Sequence, residues 1–119
     1  MSGPTATATE IKAGALVKLG VIAAGETASA ADDTLAGEAL DRLIDDMVAK
    51  GEAVYDKARI PDHEKRTLII ALADDLAEAF GIQAEDRDRF RIEARDARHE
   101  SRRRASAKRA RSIVSFVNY

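Results

Sequence analysis

The chain has 119 residues, enough for one domain with one modest core, and its apolar content is largely alanine, with three Phe, two Tyr and no Trp. With no cysteine and only His63 and His99, it offers no disulfide framework and no thiolate or histidine-rich metal site, and no cofactor is expected. The net charge of −2 hides a division: residues 1–86 carry 17 acids against 8 bases, residues 87–119 carry 4 acids against 11 bases, and no acid follows Ser101.

Alanine favours helix, whereas β-branched and aromatic residues favour sheet, so the composition predicts an all-α fold. No apolar run approaches the ~20 residues of a membrane span, and MSGPTATATE lacks the pattern of a signal peptide. The expectation is a cytoplasmic product without a membrane partner.

In chain order, residues 1–6 read as a disordered or partner-ordered arm of small residues. Thr7 and Glu10 then form a capping box, and Ile11, Ala15, Leu16 and Leu19 follow at helical spacing before Gly20, predicting a first helix over about 8–19. A second helix is expected over about 30–50. Ser29 precedes it, Asp32 and Asp33 occupy its first turn, Ala36, Leu40, Leu43 and Met47 form its stripe, and Gly51 stops it. Residues 52–60 read as a turn with a short extended or 3₁₀ piece. Pro61 opens a third predicted helix over about 61–80, in which Ile69, Leu72, Ala73, Leu76, Ala77 and Phe80 keep the helical cadence up to Gly81.

A fourth helix is expected from about 86, running antiparallel to the third and carrying a thin stripe of Phe90, Ala94, Ala97, Ser101 and Ala105. The expected architecture is a small four-helix bundle over 1–101, with a fourth helix packed over about 86–101. A basic C-terminal arm and an extended, β-prone docking tail occupy 102–119.

Enzymatic chemistry finds little support. The carboxylate pairs Asp32–Asp33, Asp45–Asp46 and Asp74–Asp75 fall on polar helix faces, and no phosphate loop, metal spacing or nucleophile motif accompanies them. No catalytic residue is therefore assigned. Arg102, Arg103, Arg104, Lys108, Arg109 and Arg111 form a basic arm able to neutralise phosphates without sequence preference. That arm lacks interleaved aromatics for base stacking and any known DNA-reading motif, so contact with a protein is an equal use for it. Ile113, Val114, Phe116, Val117 and Tyr119 form the candidate docking tail, with strand addition to a partner sheet as the expected mode and packing on its own helices as the alternative.

The order of helices, with ALVKLGV at 15–21, LDRLIDDMVAKG at 40–51 and LIIALADDLAEAFGI at 68–82, resembles the head–tail adaptor proteins of tailed bacteriophages, including the packaged-DNA-stabilising adaptors of short-tailed phages. The likeness runs over nearly the whole chain and rests on helix order and leucine–glycine signatures rather than on a catalytic motif. It implies a virion protein at the head–tail junction that forms a ring, commonly twelve-fold, beneath the portal. The implied partners are the portal protein, neighbouring adaptor subunits, a downstream tail or nozzle protein, and the packaged DNA in the channel. By position, residues 102–119 correspond to the segment that grips the portal in such proteins. The alternative expectation is a small helical nucleic-acid-binding protein that uses the Arg-rich helix.

Overall fold

A computed structural model describes residues 4–117, with side chains from 4 to 111. Four helices dominate: α1 (Ala8–Lys18), α2 (Ala30–Ala49), α3 (Lys65–Ala77) and α4 (Ala84–Val117). A two-stranded antiparallel pairing joins β1 (Thr5–Ala6) to β2 (Ile60–Pro61), and a 3₁₀ turn (Asp62–Glu64) leads from β2 into α3. The all-α class expected from composition is therefore what the chain adopts.

The first two helices start where side-chain caps can satisfy amide groups that have no carbonyl partner. Thr7 accepts from the Glu10 amide at 3.2 Å, and Ser29 accepts from the Asp32 amide at 3.2 Å. The Glu10 carboxylate pairs across to Lys65 at 3.0 Å, which ties the start of α1 to the start of α3. Helix α2 ends through Gly51, whose φ of 74° is a left-handed conformation that a side chain would strain.

Three expectations are corrected. Residues 5 and 6 are not a free arm: Thr5 pairs with Pro61 and Ala6 with Ile60, and the Asp62 amide donates to the Pro4 carbonyl at 3.0 Å. Pro61 is consequently a strand residue with ψ 139°, and α3 begins at Lys65. A proline can sit in this edge pairing because the partner at that position requires no N–H from it. The segment 112–117, expected as an extended tail, continues α4 as helix to Val117. Its β-branched residues follow about eight turns of established helix, and adding a residue to such a helix lacks the nucleation cost that starting one carries.

Helix α3 is the centre of the body. Leu68, Ala71, Leu72, Ala73, Leu76 and Ala77 are buried, with α1, α2 and α4 around them. Gly14 lets α1 come close to it: a Cβ at Gly14 would stand 2.5 Å from Ile69 Cδ1. Helix α4 is different. Its 34 residues run to roughly 51 Å at 1.5 Å each, which matches the 53 Å long axis of the molecule. It packs along α3, and among the described residues its buried positions, Phe90, Ala94, Ser101 and Ala105, fall along one side.

Candidate functional site

Most of the described polar chemistry lies along the seam where α4 meets the body. Phe90 anchors the near end, with Lys18 Nζ and the Arg89 guanidinium each close to its ring centre, at 5.6 and 5.7 Å. Lys18 also pairs with Glu93 at 3.0 Å. Two turns on, Arg98 donates from Nη2 to Asp46 Oδ2 at 2.6 Å and from Nε to Glu52 Oε1 at 2.7 Å. The Arg98 bond holds the Asp46 carboxyl below the usual aspartate range.

At the far end Glu64, buried in the 3₁₀ turn before α3, meets Arg104 in a fork: Nε to Oε1 at 2.9 Å and Nη2 to Oε2 at 3.1 Å. Arg104 Nη2 also lies 3.3 Å from Thr67 Oγ1. Ser101, almost fully buried, places its hydroxyl 2.7 Å from the Glu52 carbonyl and 2.9 Å from Glu64 Oε2. One hydroxyl proton serves two acceptors there, so Ser101 ties the loop after α2 to the turn before α3. The Tyr55 hydroxyl is buried beside this group with no hydrogen-bond partner within reach among the described residues, and burial, with the Glu64 charge adding to it, pushes its pKa up.

These groups form one wall of an open groove of about 790 Å³ between α4 and the loop around β2, with Tyr55, His63, Arg104, Lys108 and Arg111 among its lining. His63 Nε2 lies 3.6 Å from Glu64 Oε1.

The six arm residues are not equivalent. Arg104 is committed to Glu64, and Arg109 reaches the Gly51 carbonyl at 3.4 Å from both terminal nitrogens. Arg103 pairs along the helix with Glu100 at 3.5 Å. Arg102, Lys108 and Arg111 are exposed. Thus α4 does not break at Ser101, and two arm residues bond the body. The docking candidates Ile113, Val114, Phe116 and Val117 lie on the helical backbone with side chains outside the described residues, and Tyr119 lies outside them altogether.

Two of the carboxylate pairs approach each other, since Asp46 and Asp75 line one depression with Arg98, whereas the first pair lies apart. Asp33 pairs with Lys12 at 3.0 Å, Asp46 belongs to the Arg98 fork, and Asp74 and Asp75 have raised pKa values, caused first by burial. Among the described residues no group of three or more His, Asp or Glu side chains is placed to hold a metal ion, and no helix is long and apolar enough to cross a membrane.

Arg98, Glu52 and Glu64 were not singled out by sequence reasoning. A usable signal did exist: Ser101 interrupts an Ala/Phe stripe, and a buried hydroxyl demands polar partners nearby. Comparison with protein-family models, curated proteins and solved structures finds no match to this chain.

Proposed function

We propose that this chain is a non-enzymatic structural adaptor, one subunit of a ring at the head–tail junction of a tailed phage. In this reading it sits below the portal, extends the DNA channel, helps retain packaged DNA and joins portal to tail. The observation that carries it is the asymmetry of α4. A helix as long as the molecule is fastened to a small helical body along one side, and twelve residues follow its last described buried position, Ala105. Such a helix leaves most of its circumference for other chains.

The helical course to Val117 changes the expected docking mode from strand addition to a helix laid in a groove. Ile113, Phe116 and Val117 fall at i, i+3 and i+4, the spacing such recognition uses. Deleting residues 112–119 tests this role. Truncated protein should fold normally yet lose attachment to portal-bearing heads, and attachment equal to that of the full chain sinks the docking assignment.

The nucleic-acid reading keeps one favourable observation, the exposed Arg102, Lys108 and Arg111. Duplex binding measured against salt separates the two. A monomer with a steep salt slope supports nucleic-acid binding, whereas weak binding with portal-dependent assembly supports the adaptor.

A further inference from the structure

Arg91, Arg95, Arg98 and Arg102 recur at i, i+4, i+7 and i+11, and so share one flank of α4 over roughly 16 Å. Arg98 is spent on Asp46 and Glu52, and Arg91 lies 4.0 Å from Asp88. Arg95 and Arg102 are exposed and make no ion pair among the described residues. Next to Arg95 stands Ile92, a large apolar side chain left 54% exposed.

Helix α2 presents the opposite chemistry. Glu38, Asp41 and Asp45 recur at i, i+3 and i+7 on the exposed side, away from the buried Leu40, Leu43 and Met47. Asp41 pairs with Lys57 at 2.6 Å, while Glu38 and Asp45 have no ion pair among the described residues. Val48 follows Asp45 by three residues and is 49% exposed. Each surface therefore offers one exposed aliphatic side chain beside a short row dominated by one charge sign, with exposed Arg42 the exception among the acids of α2.

From this complementarity we infer that the Arg91–Arg95–Arg102 flank of α4, with Ile92, docks on the Glu38–Asp45 ridge of α2, with Val48, in a second copy of the chain. The chain cannot close this contact on itself, because its own α4 meets α2 at Asp46, on a different side from the ridge. Flank meets ridge rather than its own kind, and of the two arrangements this allows, a reciprocal two-fold dimer and a head-to-tail chain, the ring reading takes the second. The depression beside this flank is lined by Lys50, Arg91, Arg95, Arg98 and Arg102 against Glu52 and Asp74, so a polyanion is the competing occupant, which duplex binding by the charge variants tells apart. The inference rests on the ring part of the adaptor reading and names the contact that the ring would use.

The chain has no cysteine, so paired substitutions give a clean assay. Ile92→Cys with Val48→Cys, treated with a short bismaleimide, should give a ladder of dimer, trimer and higher species, whereas either substitution alone should stop at dimer. Adding Arg95→Glu and Arg102→Glu should cut the ladder at least about tenfold, as should adding Glu38→Lys and Asp45→Lys. Mixing the two charge variants should restore it, because each then meets its complement.

A missing ladder, a ladder indifferent to charge reversal, or a mixture that fails to recover overturns the contact. Loss of duplex binding by Arg95→Glu and Arg102→Glu with an unchanged ladder gives the flank to nucleic acid instead. Circular dichroism checks the fold of each variant. If a reversed variant loses helix, Arg95→Gln with Arg102→Gln is expected to weaken the ladder in the same direction, and an unchanged ladder there overturns the contact. No portal is present in this assay. A failed ladder with portal attachment intact removes the contact and leaves the adaptor, whereas a charge-dependent ladder without any portal attachment does the reverse.

Discussion

Helices α3 and α4 lie against each other, yet different physics holds each in place. Helix α3 buries eight of its thirteen residues, nearly all apolar, and is surrounded by α1, α2 and α4. Among its described side chains, residues 84–111, helix α4 buries Phe90, Ala94, Ser101 and Ala105, and two of these are alanines with little area to remove from water. Its position is set instead by two arginine forks and one buried serine. The comparison teaches that a helix with a thin apolar stripe can still have a defined register, provided a few polar contacts fix it at separated points.

The largest expected effect breaks the α3 side of the comparison. Leu72 is fully buried, and Leu72→Ala should cost about 2–5 kcal/mol, lowering the denaturant midpoint of the whole domain with little change in slope.

Breaking the α4 side should act locally. Glu64→Gln weakens the Arg104 fork and the acceptor of Ser101, at a cost of about 1–3 kcal/mol. Hydrogen exchange should rise in amides of about 98–111 while those of α3 stay protected. Equal loss of protection in both helices would show that they open as one unit. Arg98→Met should cost a similar amount, about 1–3 kcal/mol, because it strands the largely buried Glu52 carboxylate as well as the more exposed Asp46.

Asp75 sharpens the comparison through pH. Its folded pKa is raised, by burial first and then by the Asp74 charge, so the folded state holds this proton more tightly than the unfolded chain does. Its contribution to stability is therefore present below the unfolded aspartate pKa and declines as pH rises through the folded value. Asp75→Asn should raise the melting temperature at neutral pH and lose that advantage near pH 3, by less than about 1 kcal/mol because the carboxylate is only partly withdrawn from solvent. A gain that persisted at low pH would assign the effect to something other than its charge.

The smallest net effect is expected at Gly14. Gly14→Ala gains roughly 1 kcal/mol of helix propensity, but its Cβ would meet Ile69 Cδ1 at 2.5 Å and Cγ1 at 2.9 Å. Overpacking should outweigh the gain, giving a modest fall in melting temperature, and Gly14→Ala combined with Ile69→Val should recover part of it.

Much of this fold was legible in the sequence because it is written locally. Thr7 and Ser29 cap the helices they were expected to cap, and the stripes Ala36–Leu40–Leu43–Met47 and Leu72–Ala73–Leu76–Ala77 are buried as their spacing required. Ile69 and Phe80 lie only part-buried at the edge of the α3 contacts, since a helix enclosed on several sides distributes its apolar residues around its circumference. The pairing of Thr5–Ala6 with Ile60–Pro61 was not legible, because two residues meeting two others more than fifty positions away leave no periodic trace.

The seam divides in the same way. Ser101 was placed on the buried stripe of α4 by spacing alone, but its partners Glu52 and Glu64 lie in a loop and a 3₁₀ turn, where sequence periodicity gives no direction. Arg104 looked like any other member of a basic run, and only its distance to Glu64 separates it from the exposed Arg102.

The sequence by itself determined the helical class, the start of α1 and α2, the glycine stop after α2, and the change of charge sign near residue 87, since caps, periodicity and composition act over a few residues. Tertiary structure alone decided which arginines of α4 are internal fasteners and which remain outside. That choice depends on carboxylates brought from 40 to 52 positions away, and a burial cost that only a folded partner can offset. The run of α4 as helix through residues whose own propensity favours strand follows instead from the helix already formed before them, which carries the nucleation cost and which residue-by-residue propensity does not count.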